Sequence, residues 1–125
     1  MRSIVLLLLL SPLGLIALLG CEDKAAKAAM VTGGDPARGR EQAREHGCGA
    51  CHTIPGVPGA HALVGPPLDR MARRAYIAGT LPNTPANMRE WIAHPQKVKP
   101  NNAMPEVSMT DDDARDITAY LYTLD

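Results

Sequence analysis

Cys48-Gly49-Ala50-Cys51-His52 sets two thiols and an imidazole side by side in the chain. The spacing C-x-x-C-H is a haem-attachment pattern. Each thiol can add to one of the two vinyl groups of a haem, and the adjoining imidazole is then held beneath the iron. A random shuffle of this composition contains the pattern about 0.0015 times, so chance is a poor explanation. Two other chemistries use the same side chains. A redox-active thiol pair belongs at a strand-to-helix turn of a βαβ unit, and no strand is legible here. A zinc site wants four ligands, usually from a second Cys or His cluster, and His46, His61 and His94 are scattered.

A six-coordinate iron needs a second axial ligand besides His52. Met104 is the candidate, because Pro100 and Pro105 bracket Asn101-Asn102-Ala103-Met104 and shape a loop that can present a thioether. Met71 and Met88 fall at inner positions of expected helices, where methionine is ordinary core filler. Met109 competes weakly, and His61 or His94 in that place gives a bis-histidine haem of lower potential. No Ser/His/Asp set, paired carboxylates or phosphate-binding loop points to catalysis, so the expected role is electron carrier rather than enzyme.

These side chains need elements to hold them. The chain has 125 residues, room for one domain and little else. Met1-Arg2-Ser3 and the apolar run from Ile4 to Leu19 have the n-region and h-region of an export signal. Leu18-Leu19-Gly20-Cys21 resembles the site at which bacterial lipoproteins are cut and acylated. The expected organisation is a lipoprotein signal peptide over 1–20, a lipid-anchored flexible tether over 21–34 beginning at Cys21, and a functional domain over 35–125. Fully extended, the tether would reach roughly 45 Å. Acylating Cys21 and giving Cys48 and Cys51 one shared job accounts for all three cysteines.

Four helices and no strand are expected in the domain. The first opens with Asp35 as N-cap and Pro36 at the first helical position, and stops at Gly47. The second runs from about Asp69 to Gly79. The third opens at Thr84-Pro85 and ends before Pro95. The fourth begins with Thr110-Asp111-Asp112-Asp113, a capping box with acid in its first turn, and its apolar residues recur at helical spacing through Leu124. There is no Phe, one Trp and three Tyr, while 11 prolines crowd the connections. Long shaped loops and so thin a core need something to wrap around. Formal charge is +0, and no concentrated basic surface suggests a nucleic-acid partner.

From Asp35 to Leu124 the chain resembles class I cytochromes c. The segment Ala78-Gly79-Thr80-Leu81-Pro82-Asn83-Thr84-Pro85, with Trp91-Ile92, Pro95-Gln96, Lys99-Pro100 and Met104-Pro105, resembles the cytochrome c domain of subunit II of bacterial haem–copper oxidases. The resemblance implies an all-α cytochrome c fold around one covalently bound haem c, with Cys48 and Cys51 as attachment points and His52 and Met104 as axial ligands. It makes Gly65-Pro66 the proximal turn, the Pro66 carbonyl accepting the His52 ring N–H. It makes Gly39 the glycine at which the first helix crosses the last, opposite Tyr120, and Trp91 the aromatic of the distal pocket. Arg74, or Arg73, is placed to meet a haem propionate. Gln42-Ala43 departs from the family, which carries two apolar residues there. The oxidase's copper-binding part and membrane helices are not in this sequence, so the expectation is the cytochrome module alone.

The expected function is that of a monomeric electron carrier, anchored by lipid on the periplasmic side of the cell membrane, passing single electrons between respiratory redox proteins. The alternatives are a fixed subunit through which electrons enter a terminal oxidase or periplasmic dehydrogenase, and a haem protein whose Met104 leaves to admit a gas or peroxide. Bases outnumber acids between Arg38 and Lys99, whereas Glu106 to Asp125 is acid-rich with Arg115 the lone base. A mildly basic haem face with an acidic back would steer a transient partner.

Overall fold

A computed structural model describes residues 23–125; the export signal and Cys21 lie outside the described residues. The helix starts are where the sequence signals put them. In α2 (Pro36–Glu45) the Asp35 carboxylate accepts from the Ala37 and Arg38 N–H groups, and Pro36 occupies the first turn. In α3 (Pro85–Ala93) Thr84 caps the Asn87 N–H. The last helix, α5 (Asp111–Leu121), opens on a complete capping box. Thr110 Oγ1 accepts from the Asp113 N–H at 3.1 Å, and the Asp113 carboxylate accepts from the Thr110 N–H at 3.0 Å. Three aspartates then sit at the positive end of the helix dipole.

Helix α5 is the centre of the fold and packs against α2, α3 and the N-terminal helix. Its crossing with α2 depends on Gly39. A Cβ there would stand 1.8 Å from the Asp116 carbonyl oxygen and 2.8 Å from the Ile117 nitrogen. Gly39 thus meets the last helix most closely at Asp116–Ile117. Tyr120 lies one turn further on, and its hydroxyl donates to the Pro55 carbonyl. The crossing is also locked by charge. Asp116, 1% exposed, accepts from the Asp35 N–H at 2.8 Å and from Arg38 Nε at 2.9 Å. Burial alone pushes its carboxyl up, but the Arg38 guanidinium and the Asp35 N–H outweigh this and hold it below the usual carboxylate range.

Three local expectations are corrected. Residues 24–32 are no loose tether but a helix, α1 (Lys24–Thr32), capped by the Asp23 carboxylate and ended by Gly33 in the left-handed region at φ 74°. Its alanines favour helix, and Ala28, 2% exposed, packs into the body.

No helix forms over 69–79. Arg70 (φ 52°) and Ala78 (φ 52°) take left-handed backbone, which interrupts an α-helix. A 3₁₀ turn at Met71–Arg73 leads instead into an antiparallel hairpin, β1 (Tyr76–Ile77) with β2 (Leu81–Pro82), turning through Ala78-Gly79. Asn83 Nδ2 fastens this segment by donating to the Met71 and Arg74 carbonyls, each at 2.8 Å. Finally, the loop expected after Pro95 begins with a short helix, α4 (Pro95–Val98).

The core is a shell rather than a solid. Met71, Ile77, Met88, Ile92, Ile117 and Leu121 are all buried, and all line one cavity of about 470 Å³. Among the described residues, no helix is long and apolar enough to cross a membrane.

Candidate haem site

The C-x-x-C-H segment leaves α2 through Gly47, whose φ of 72° turns the chain sharply. A single 3₁₀ turn at Cys48–Ala50 comes next, closed by the Cys51 and His52 N–H groups on the Cys48 carbonyl at 3.2 and 3.0 Å. This turn brings Cys48, Cys51 and His52 onto the wall of the same cavity. Gly49 passes tightly against Ala60, where a Cβ would come within 2.9 Å. Burial pushes the Cys48 thiol up.

His52 is fixed from behind. Its Nδ1 lies 2.7 Å from the Pro66 carbonyl oxygen. A carbonyl can only accept, so Nδ1 carries the proton and Nε2 keeps its lone pair for a metal. Gly65 presses on the ring: a Cβ there would lie 2.4 Å from His52 Cε1. The Gly65 N–H is in turn tied to the Cys51 carbonyl at 2.7 Å.

Met104 lines the same cavity from a separate loop. Two amides hold that loop. Gln96 Nε2 donates to the Asn102 and Met104 carbonyls at 3.0 and 2.8 Å, while its Oε1 accepts the Asn101 N–H. Asn102 Oδ1 accepts the Met104 N–H at 2.7 Å, and its Nδ2 donates to the Pro95 and Lys99 carbonyls. Sequence reasoning misses the roles of Gln96 and Asn102. The available signal is two amide side chains flanking a loop whose own carbonyls lack a regular ladder. Met109, His61 and His94 are not on the cavity wall.

Trp91 is half-buried and lines the cavity, as does Arg74. The Arg74 guanidinium donates to the Pro67 and Asp69 carbonyls at 2.6 and 2.9 Å, so it braces the loop that follows Pro66. Arg73 is exposed and off the wall. Ala43, 1% exposed, supplies a small wall residue where the resemblance expects a larger one, and this helps leave the cavity open. Gln42 points to the last helix instead, its Nε2 donating to Asp113 Oδ1 at 2.6 Å.

Two thiols, an imidazole with a free Nε2, a thioether and an apolar cavity fit a covalently bound haem. They fit the rival chemistries poorly. The sheet among the described residues is a two-stranded hairpin, and no group of three or more His, Cys, Asp or Glu is gathered there for a metal. The family model for cytochrome c matches residues 36–125.

The chain belongs to the cytochrome c family.

No curated protein and no solved structure matches it. This cytochrome is a haem-based electron-transfer protein of all-α fold, and its cofactor is covalently attached haem c. The hairpin and 3₁₀ turns are small departures within that fold.

Proposed function

We propose that this cytochrome is a membrane-tethered monohaem electron carrier with Cys48 and Cys51 as the thioether attachments and His52 and Met104 as the axial ligands. The observation that carries the reading is that His52, with its tautomer set by Pro66, and Met104, on a loop held by Gln96 and Asn102, line one cavity. When bound, the haem supplies one-electron chemistry between ferric and ferrous iron. The chain's contribution is to keep both ligands on the metal, exclude water through Met88, Ile92, Ile117 and Leu121, and leave no position for substrate. A Met/His pair favours a relatively high potential. Because the same ligands serve both oxidation states, little has to reorganise when an electron passes.

Cys21, acylated after removal of residues 1–20, would hold the domain on the periplasmic side of the cell membrane. The partners are respiratory redox proteins, and the resemblance to the cytochrome c domain of oxidase subunit II favours a terminal oxidase as acceptor. The carrier works as a monomer and binds no nucleic acid.

Visible spectra of the haem-loaded protein test this reading. The expected result is a low-spin c-type spectrum with a weak Met–Fe(III) band that disappears in Met104→Ala, and no change of the reduced spectrum under CO. A high-spin spectrum or prompt CO binding would overturn it in favour of a gas- or peroxide-binding protein.

A further inference from the structure

The N-terminal segment is a strap fixed to the body. Ala28 is buried, and Thr32 Oγ1 closes the last turn of α1 on the Ala28 carbonyl at 2.7 Å. Lys24 pairs with the carboxylate of Asp125 at the other end of the chain. Beyond α1 the chain stays pressed on α5: a Cβ on Gly34 would meet the Arg115 carbonyl oxygen at 2.5 Å and the Ala119 Cβ at 3.0 Å.

This contact fixes which side of the molecule α1 occupies. The strap meets α5 at Arg115 and Ala119, whereas α5 lines the cavity with Ile117 and Leu121. At about 100° per residue the two pairs lie roughly 160° apart around the helix. The strap and the cavity are therefore on opposite faces of α5.

The outer side of α1 carries both apolar and basic side chains into solvent. Met30 is 85% exposed and Val31 53%, while Lys24 and Lys27 are exposed along the same helix. The long apolar stem of a lysine beside exposed methionine suits a lipid interface, and the Lys24 ammonium keeps its Asp125 carboxylate there. A smaller cleft of about 210 Å³ beside the strap is lined by Thr32, Arg89 and Arg115. Each arginine there is also paired with an exposed aspartate, Asp111 or Asp112.

We propose that α1 lies on the membrane surface with Met30 and Val31 in the headgroup layer, so that the haem cavity opens away from the lipid. The inference rests on acylation of Cys21. Cys21 precedes Lys24 by three positions, a span of at most about 10 Å. An acyl chain on Cys21 brings the start of α1 to the headgroups, and the docking of α1 brings the body with it. The domain then rides on the bilayer in one orientation and does not swing on a long leash. Partners meet its haem face from the aqueous side.

The test uses the full-length, haem-loaded chain in membranes with the iron reduced. With Cys48 and Cys51 on the haem and Cys21 on the lipid, one introduced thiol takes a nitroxide label, in Met30→Cys or in Leu63→Cys. Leu63 is exposed and adjoins the cavity-lining Val64. The expected result is that the ratio of oxygen to nickel-chelate collision rates is at least about threefold higher at position 30 than at 63, as for a site in the interface. Equal ratios in protein that sediments with the membranes would overturn the orientation and leave acylation standing. Low access of both reagents at position 30 would show a protein covering α1 and overturn it too. Protein that stays in the soluble fraction would overturn acylation and this inference together.

Discussion

Gly39 and Asp116 stand so close at the crossing of α2 and α5 that a single methyl group on Gly39 would fall 1.8 Å from the Asp116 carbonyl oxygen. The obstacle is backbone, which cannot rotate aside. Gly39→Ala is expected to lower the unfolding free energy of the haem-loaded protein by about 3 kcal/mol or more. Gly47→Ala, with nothing within 4 Å of its Cβ but a φ of 72°, should cost only about 1–2 kcal/mol. Denaturant titration of the two variants side by side checks the ordering, and equal losses would contradict the packing argument.

Gly65 makes a sharper prediction for the spectrum. Its added Cβ would meet His52 Cε1 at 2.4 Å and Nδ1 at 2.7 Å, so Gly65→Ala must displace the ring or the Pro66 turn. Part of the low-spin absorption should convert to high-spin. Gly59→Ala, also at positive φ but with nothing within 4 Å, should cost stability and leave the spectrum unchanged.

The loop of Met104 can be loosened without touching the sulfur. Gln96→Ala removes two donors to the Asn102 and Met104 carbonyls. At about 1.5 kcal/mol of loop stability lost, the open population rises about tenfold. The Met–Fe(III) band should weaken, and CO should bind the reduced variant detectably faster than the parent. In Met104→Ala the band should vanish.

Acid stability depends on Asp116. Its carboxyl is held below the usual range by Arg38 and the Asp35 N–H, against the opposing effect of burial. A depressed carboxyl pKa contributes stability above the unfolded-state value of about 3.9, and this is lost as pH falls through the lower folded-state value. Asp116→Asn should therefore be about 1–3 kcal/mol less stable than the parent at pH 7. The gap should narrow below about pH 4. Unfolding curves at pH 7 and at stepwise lower pH measure it, and a gap that widens in acid would refute the assignment.

Much of the fold and the site is legible in the sequence because it is local. Asp35-Pro36, Thr84-Pro85 and Thr110 with Asp113 are capping signals confined to one turn, and each opens a helix where expected. The C-x-x-C-H segment is likewise five adjacent residues. The segment after Leu68 misleads because its residues have helical spacing but its geometry is decided elsewhere. Asn83, several positions downstream, ties the Met71 and Arg74 carbonyls, and Ala78 adopts a backbone that alanine rarely favours. The strap misleads for the opposite reason. An Ala/Lys stretch reads as solvated linker, and contacts with distant residues, the burial of Ala28 and the pairing of Lys24 with Asp125 among them, make its helix part of the body. The Asp116 lock joins positions 81 apart, a distance over which no pattern in the sequence operates.

That separation also orders events in time. The contact between Asp35 and Asp116 spans most of the domain, and α5 carries the partners of α1, α2 and α3. A chain emerging N-terminus first has already delivered both thiols and His52 when its last helix is still missing. Long loop closure is slow in any case. Cys48 and Cys51 thus precede in the chain the helix that completes the wall of their cavity. Ile117 and Leu121, brought by α5, are the last residues of the chain to line that cavity.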